Sequence, residues 1–198
     1  MSDFTAVIEQ PLFDTTHQAL AFAFRRSNGA VSRPMMNRLA SAGSSSDRGL
    51  GGDDGVAQAG LILRRLTQLG PLHVAILKAR YGVRERICSC CEQPAPHFEW
   101  LGAIRTVSET GYARLSMPSV TPEMVRDLAI RYYSTPKHPL EDIGSRHGVS
   151  LSTASRANGE IVLWLRGPRK SKDNQQGEEA AAYSGADSLL RSVGLVVD

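Results

Sequence analysis

The sequence has 198 residues, of which 41% are hydrophobic and 22% charged, and its formal net charge is +3. This length suffices for one modest domain with flexible ends, or for two very small domains. The net charge is too small to prove a nucleic-acid partner, and the few aromatic residues argue against a surface that stacks bases. Apolar runs such as residues 161–165 are far too short to span a membrane.

The N-terminal third is predicted to be a flexible arm, residues 1–53, that carries one short helix at about 14–26. Asp14 or Thr15 can cap this helix, although the alternation of Phe22 and Phe24 also permits a strand. Residues 41–55 are almost entirely glycine, serine and aspartate, a composition typical of a flexible linker. Four arginines of the arm can contact phosphate, but we favour a solvated role. They are Arg25, Arg26, Arg33 and Arg38.

A helical body is predicted from about residue 54 to residue 166. Its first helix runs from Asp53 or Asp54 to Leu69, where Gly70-Pro71 ends it and begins the next. The second helix is predicted to end at Tyr81, with Gly82 as its C-cap.

A cysteine-rich insert follows at residues 83–98. Cys88 and Cys91 have the spacing of a zinc knuckle, in which two thiolates bind one tetrahedral ion, and Cys90 or His97 can supply a third ligand. The predicted metal ligands are therefore Cys88, Cys90, Cys91 and His97, and the predicted cofactor is zinc. The alternative is three free thiols in a proline-rich turn. A catalytic cysteine is not expected, because the adjacent Glu92 would not lower the pKa of a thiol.

Trp100 is predicted to lie in a core-facing helix after Phe98, and residues 106–121 are predicted to be a loop, with Gly111 and Pro118 as helix breakers. Another helix is expected at 122–133, because Thr121-Pro122-Glu123 is a strong helix start. The final residues, 167–198, are predicted to be a basic segment and a mobile tail, whose apolar residues can form a docking helix.

Residues 139–165 have the pattern of a helix-turn-helix. Gly144 lies where the second helix must cross closely, so a side chain there would obstruct the crossing. Gly148 lies at the turn, where a positive φ is needed and glycine adopts it without strain. Ser150 is a natural N-cap for the second helix, since its hydroxyl can accept a hydrogen bond from an unpaired amide.

The second helix of this motif begins with short polar side chains and one guanidinium group, which suits a helix whose first turns enter a major groove. Gly148-Val149-Ser150 and Thr153-x-Ser155-Arg156 resemble the DNA-reading segments of many bacterial repressors. The predicted DNA-binding residues are Ser150, Leu151, Ser152, Thr153, Ser155 and Arg156, together with Arg146, Arg169 and Lys170. The alternative is an ordinary helical hairpin with a glycine turn.

The order of elements resembles the late antitermination protein Q family of lambdoid-type phages. The matching stretches are Gly52-Asp53-Asp54-Gly55-Val56, Leu63-Arg64-Arg65-Leu66, Leu72-His73 and Tyr81. A helix-turn-helix and a long C-terminal helix follow them, as they do in that family. The resemblance implies a small DNA-binding protein that joins RNA polymerase near a late promoter and makes it ignore terminators.

The sequence thus predicts an all-α, non-enzymatic protein that binds double-stranded DNA in transcription control. The three crowded cysteines and the absence of a signal-peptide pattern favour a reducing compartment, which under the resemblance is the cytoplasm of a bacterial host. Two other functions remain open. One is a DNA-packaging recognition subunit that uses the same motif in a homo-oligomeric ring. The other is a zinc-stabilised module that contacts only protein.

Overall fold

The structure, a computed structural model, describes residues 11–28, 52–168 and 176–197. Within them lie eight α-helices, so the predicted all-α class is confirmed. The helices are α1 Thr16–Asn28, α2 Gly52–Leu66, α3 Pro71–Tyr81, α4 Phe98–Arg114, α5 Pro122–Tyr133, α6 Leu140–Arg146, α7 Leu151–Arg166 and α8 Glu178–Ser192. A 3-10 helix, Thr67–Leu69, precedes α3, and an antiparallel hairpin of β1 Glu85–Ile87 and β2 Pro94–Pro96 separates α3 from α4.

The described residues divide into two compact units, and the smaller combines those within Met1–Arg65 with those within Asp187–Asp198. In this unit α1 begins as predicted, because the Thr15 hydroxyl accepts a hydrogen bond from the Gln18 amide at 3.2 Å. Phe13 forms a short parallel bridge to Val196. The buried side chains of α1 are Ala19, Leu20, Ala23 and Phe24.

Three of the predicted N- and C-terminal features are wrong where the structure describes them. The helix predicted at 14–26 is packed into a compact unit and does not belong to a flexible arm, because its apolar face is buried. Residues 52–55 form the first turn of α2 and not the end of a linker, in agreement with the helix start that was predicted at Asp53 or Asp54. Both aspartates suit the positive end of the helix dipole. The expected mobile tail contains α8, whose small residues Ala182 and Ala186 allow close packing. Arg33, Arg38 and residues 41–51 lie outside the described residues.

The larger unit, Leu66–Ala186, contains the predicted binding elements. Helix α4 packs between α3 and α5, and α5 also contacts α6 and α7. Thr121 caps α5, as its hydroxyl accepts a hydrogen bond from the Met124 amide at 3.2 Å. The core is formed mainly by residues of these helices that are almost fully buried. They include Ile76, Leu77, Trp100, Ile104, Val107, Met124, Val125, Leu128, Ile143, Ile161 and Leu165.

Helix α4 is longer than predicted, because residues 106–114 continue it and are not a loop. Gly111 does not break the helix, since it lies on the buried face where α7 crosses. A Cβ atom at this position would be 2.9 Å from Cζ3 of Trp164 and 3.1 Å from Cδ1 of Ile161. The glycine therefore makes room for a side chain of α7, a requirement that comes from packing and not from the local backbone.

No helix in the described parts of the chain combines the length and the apolarity needed to cross a bilayer.

Candidate nucleic-acid interface and thiol cluster

Helices α6 and α7 are joined by a four-residue turn, residues 147–150, at the predicted place. Gly148 has a φ of +65°, the left-handed conformation for which glycine was expected. The turn is closed by the Val149 amide, which donates a hydrogen bond to the Gly144 carbonyl at 2.9 Å. Ser150 caps α7 as predicted, because its hydroxyl accepts a hydrogen bond from the Thr153 amide at 3.2 Å.

Gly144 permits a close approach between α6 and the start of α7. A Cβ atom there would lie 3.0 Å from the Val149 carbonyl oxygen and 3.5 Å from Cβ of Ala154. Ala154 is itself fully buried. The two small residues together set how closely the helices pack, so a larger residue at either position would push them apart.

Helix α7 has one buried face and one face open to solvent. Ala154, Ala157, Ile161 and Leu165 are buried and fix the helix on the rest of the unit. Of the residues predicted to read DNA, Ser152, Ser155 and Arg156 are exposed and Leu151 is 54% exposed. Ser150 is also exposed and Thr153 is half-buried. Their hydroxyl groups lie 3.0 Å apart, and the Ser150 hydroxyl caps the helix.

The turn is tied to α5 by one carboxylate. Nη1 of Arg146 donates a hydrogen bond to Oδ2 of Asp127 at 2.8 Å, and Nε2 of His147 lies 3.0 Å from the same oxygen. The Asp127 and His147 side chains are only 15% and 13% exposed. Arg146, predicted to contact DNA, is thus engaged in holding the turn. Asp127 and His147 were missed, since nothing in the sequence links residues so far apart.

The first turn of α8 ties α7 and α5 together within the same unit. Oε1 of Glu178 accepts a hydrogen bond from Nε1 of Trp164 at 3.2 Å, and Oε2 of Glu179 accepts one from the Tyr132 hydroxyl at 2.7 Å. Burial of Tyr132, together with this bond, raises the pKa of its phenol. Residues 169–175, which include the predicted DNA contacts Arg169 and Lys170, lie outside the described residues.

The three cysteines lie in the turn of the β1–β2 hairpin. The hairpin pairs Ile87 with Pro94, and the turn is closed by two hydrogen bonds of 2.9 Å that join Cys88 to Gln93 and Glu92. Glu92 adopts a φ of 55° to complete the reversal. This short, curled turn brings Cys90 and Cys91 back toward Cys88, so the thiols converge although none is buried.

The three sulfur atoms lie within 4.8 Å of one another and could bind a metal ion. The Cys88 and Cys90 sulfurs are 2.8 Å apart. The hydrogen bond from the Cys90 thiol, followed by the amides of Cys90 and Cys91, lowers the pKa of Cys88 to about 6. The same sulfur contact raises the pKa of Cys90. Glu92 is not among the causes of this shift, as expected, and the lowered pKa of Cys88 comes from the other two cysteines of the turn.

His97, the fourth predicted metal ligand, does not join the group of sulfurs. It is 8% exposed and caps α4, because its Nδ1 accepts a hydrogen bond from the Glu99 amide at 3.3 Å. Its ring also stacks on Phe98, with 4.9 Å between the ring centroids. His97 was therefore wrongly predicted to be a ligand, because its distance from the cysteines in the sequence suits a zinc site. In the structure it begins α4 and packs against Phe98, the first residue of that helix.

Neither any family model nor any curated protein matches this chain. The resemblance to the late antitermination proteins therefore stays a prediction.

Proposed function

We propose that the protein binds double-stranded DNA in a sequence-specific manner and that α6 and α7 are its helix-turn-helix. The observation that carries the proposal is the solvent-facing start of α7. Ser152, Ser155 and Arg156 project from a helix whose opposite face is buried. A helix fixed in this way can enter a major groove about 12 Å wide without losing its place in the fold.

Each exposed side chain has a defined role in this proposal. Arg156 donates hydrogen bonds to a guanine edge, and the hydroxyl groups of Ser152 and Ser155 reach neighbouring bases or phosphates. Asp127 acts as a positioning residue, because it holds Arg146 and His147 at the turn. The rigid turn then presents α7 at a fixed angle.

We further propose that this binding serves transcription control, with RNA polymerase as the protein partner and phage late-gene antitermination as the process. This finer proposal is supported by the order of elements and by the short stretches that resemble the late antitermination protein Q family. It implies a protein that works in the cytoplasm of a bacterial host.

The experiment begins with selection of bound sequences from random DNA by the purified full chain. Arg156→Ala is then compared with Arg105→Ala, which removes one exposed arginine from α4 and so changes the net charge equally. Loss of a bidentate base contact costs about 1–3 kcal/mol on the selected sequence. The Arg105 variant should bind as the wild type does.

Three outcomes contradict parts of this proposal. If no sequence is enriched and no salt-dependent binding is found, the protein does not bind DNA. If Arg156→Ala weakens selected and random DNA equally, Arg156 contacts phosphate and does not read a base. If both arginine variants lose affinity equally, the effect is one of net charge and α7 is not the reading helix.

We propose, as a second function, that the thiol cluster binds a metal ion and stabilises the hairpin as a module for protein contact. Its three converging sulfurs support this, and zinc is the ion that the Cys88 and Cys91 spacing predicts. Protein purified under reducing conditions should carry one metal ion per chain, and this ion is zinc if the spacing of Cys88 and Cys91 sets the choice. If protein produced in zinc-supplemented medium contains no metal after purification, the assignment of zinc is contradicted.

A further inference from the structure

The possible metal ligands of the thiol cluster can be counted from the sequence and from the described residues. The whole sequence contains three cysteines, so no other segment of the chain can add a fourth thiolate. All five histidines lie in the described residues, and none belongs to the group that converges on the turn. Among the described residues no carboxylate joins the group either. Within the described residues, one chain therefore brings together three sulfur ligands and no fourth side-chain donor.

The sulfurs lie close enough together to reach one three-coordinate ion. A metal–sulfur bond of about 2.3 Å, the length found with zinc thiolates, places three coplanar ligand sulfurs about 4.0 Å apart. The three sulfurs already lie within 4.8 Å of one another, and the pair at 2.8 Å has only to open. Cys90 and Cys91 are exposed in a turn, so small rotations of their side chains meet no core packing.

The number of sulfur ligands also distinguishes between the candidate ions, zinc and Cu(I). Structural zinc is almost always four-coordinate and tetrahedral, which leaves one position unfilled here. Soft thiolate ligands favour Cu(I) and zinc, and a set of three suits an ion that accepts trigonal coordination.

We infer that Cys88, Cys90 and Cys91 form a three-coordinate, all-thiolate site for a soft monovalent ion of the Cu(I) class. This inference rests on the proposed metal-binding function and is independent of DNA binding. It replaces zinc with an ion whose coordination is complete within one chain. The thiols bind as thiolates, so their protons pass to solvent, and no change of oxidation state is involved.

The test uses the reduced full chain, titrated with Cu(I) under anaerobic conditions against a chelating competitor. X-ray absorption at the copper edge should show three sulfur ligands and no nitrogen or oxygen, with one ion per monomer. Cys88→Ser, Cys90→Ser and Cys91→Ser should each weaken Cu(I) binding by more than about 100-fold, the upper loss seen when only an outer-shell partner of a ligand is removed.

Two variants serve as matched controls. Ser89→Ala changes the same turn without removing a sulfur. His97→Asn removes the imidazole but keeps a good N-cap for α4. Both should bind Cu(I) within about twofold of the wild type, well inside the tenfold minimum for loss of a supporting partner.

Several results would overturn the inference. A nitrogen ligand that disappears in His97→Asn indicates a four-ligand site of the zinc type. One cysteine variant that binds normally indicates a two-coordinate site. One ion for two chains indicates a shared site. If the full chain binds neither Cu(I) nor zinc, the proposed metal function itself fails, whereas zinc binding without Cu(I) binding refutes only the choice of ion.

Discussion

The packing of α7 on α4 makes Gly111 the most informative position for a stability measurement. Gly111→Ala adds one methyl group to a helix interior, a change that normally raises helix stability. At this position the new Cβ atom would lie 2.9 Å from Trp164 and 3.1 Å from Ile161. These contacts are closer than van der Waals separation, so the Trp164 ring or the whole of α7 has to move.

The expected change in the free energy of unfolding is the sum of two opposing effects. Replacing glycine by alanine inside a helix gains about 0.5–1 kcal/mol, and overpacking a core costs about 1–3 kcal/mol. Gly102 is the matched control, because it lies in the same helix and a Cβ atom there meets nothing within 4 Å. Gly102→Ala should therefore raise the free energy of unfolding, whereas Gly111→Ala should leave it unchanged or lower it. The two variants should differ by about 1–3 kcal/mol.

Thermal and urea unfolding, followed by tryptophan fluorescence and by circular dichroism, measure this difference. For a chain of this size 1 kcal/mol corresponds to roughly 2–4 °C in Tm. Trp164 is one of two tryptophans, so its emission also reports whether its ring has moved. If Gly111→Ala stabilises the protein as much as Gly102→Ala does, then Trp164 does not pack on Gly111, and α7 does not contact α4 at this position.

Three further predictions concern the turn and the smaller unit. Gly148→Val should lower the free energy of unfolding by about 1–3 kcal/mol, because valine is strained at a φ of +65°. Gly148→Asn should lower it by less. If the wild type and both variants are equally stable in urea, residue 148 does not adopt the left-handed conformation. Asp127→Asn keeps the shape of the side chain but removes the negative charge that contacts both Arg146 and His147. The free energy of unfolding in urea should fall by about 1–2 kcal/mol, less than for a fully buried charged hydrogen bond because Arg146 is exposed. An unchanged midpoint would mean that the carboxylate does not anchor the turn. The pKa of Asp187 is lowered by the hydrogen bond from the Thr16 hydroxyl and then by Arg191. The stabilising effect of Asp187 is therefore present above the unfolded pKa near 3.9 and is lost as the pH falls through the folded pKa. Asp187→Asn should lower the free energy of unfolding at pH 7, and this deficit should shrink as the pH falls below the unfolded pKa; a deficit that does not change with pH would contradict this linkage.

The sequence by itself determined the features whose causes lie within a few residues. Ser150 was predicted as a cap and Thr121-Pro122-Glu123 as a helix start. In the structure, the hydroxyl groups of Ser150 and Thr121 each accept a hydrogen bond from the amide three residues later. Gly148 was predicted at the turn because few other residues adopt a positive φ. The helical class followed from apolar spacing, and the cysteines were visible as a candidate metal site because they are close in the chain.

Only the tertiary structure decided the features that depend on distant partners. Gly111 was predicted to break the helix, but in the structure Trp164 packs against it. Arg146 was predicted to contact DNA, and only the fold shows that it also binds Asp127. His97 suited a metal ligand by spacing, yet it caps and packs against α4. Helix α1 looked like a tether because the C-terminal residues that share its unit lie at the other end of the sequence. Local hydrogen bonds and backbone preferences are encoded within a few positions, whereas steric fit and ion pairing depend on which elements the fold brings together.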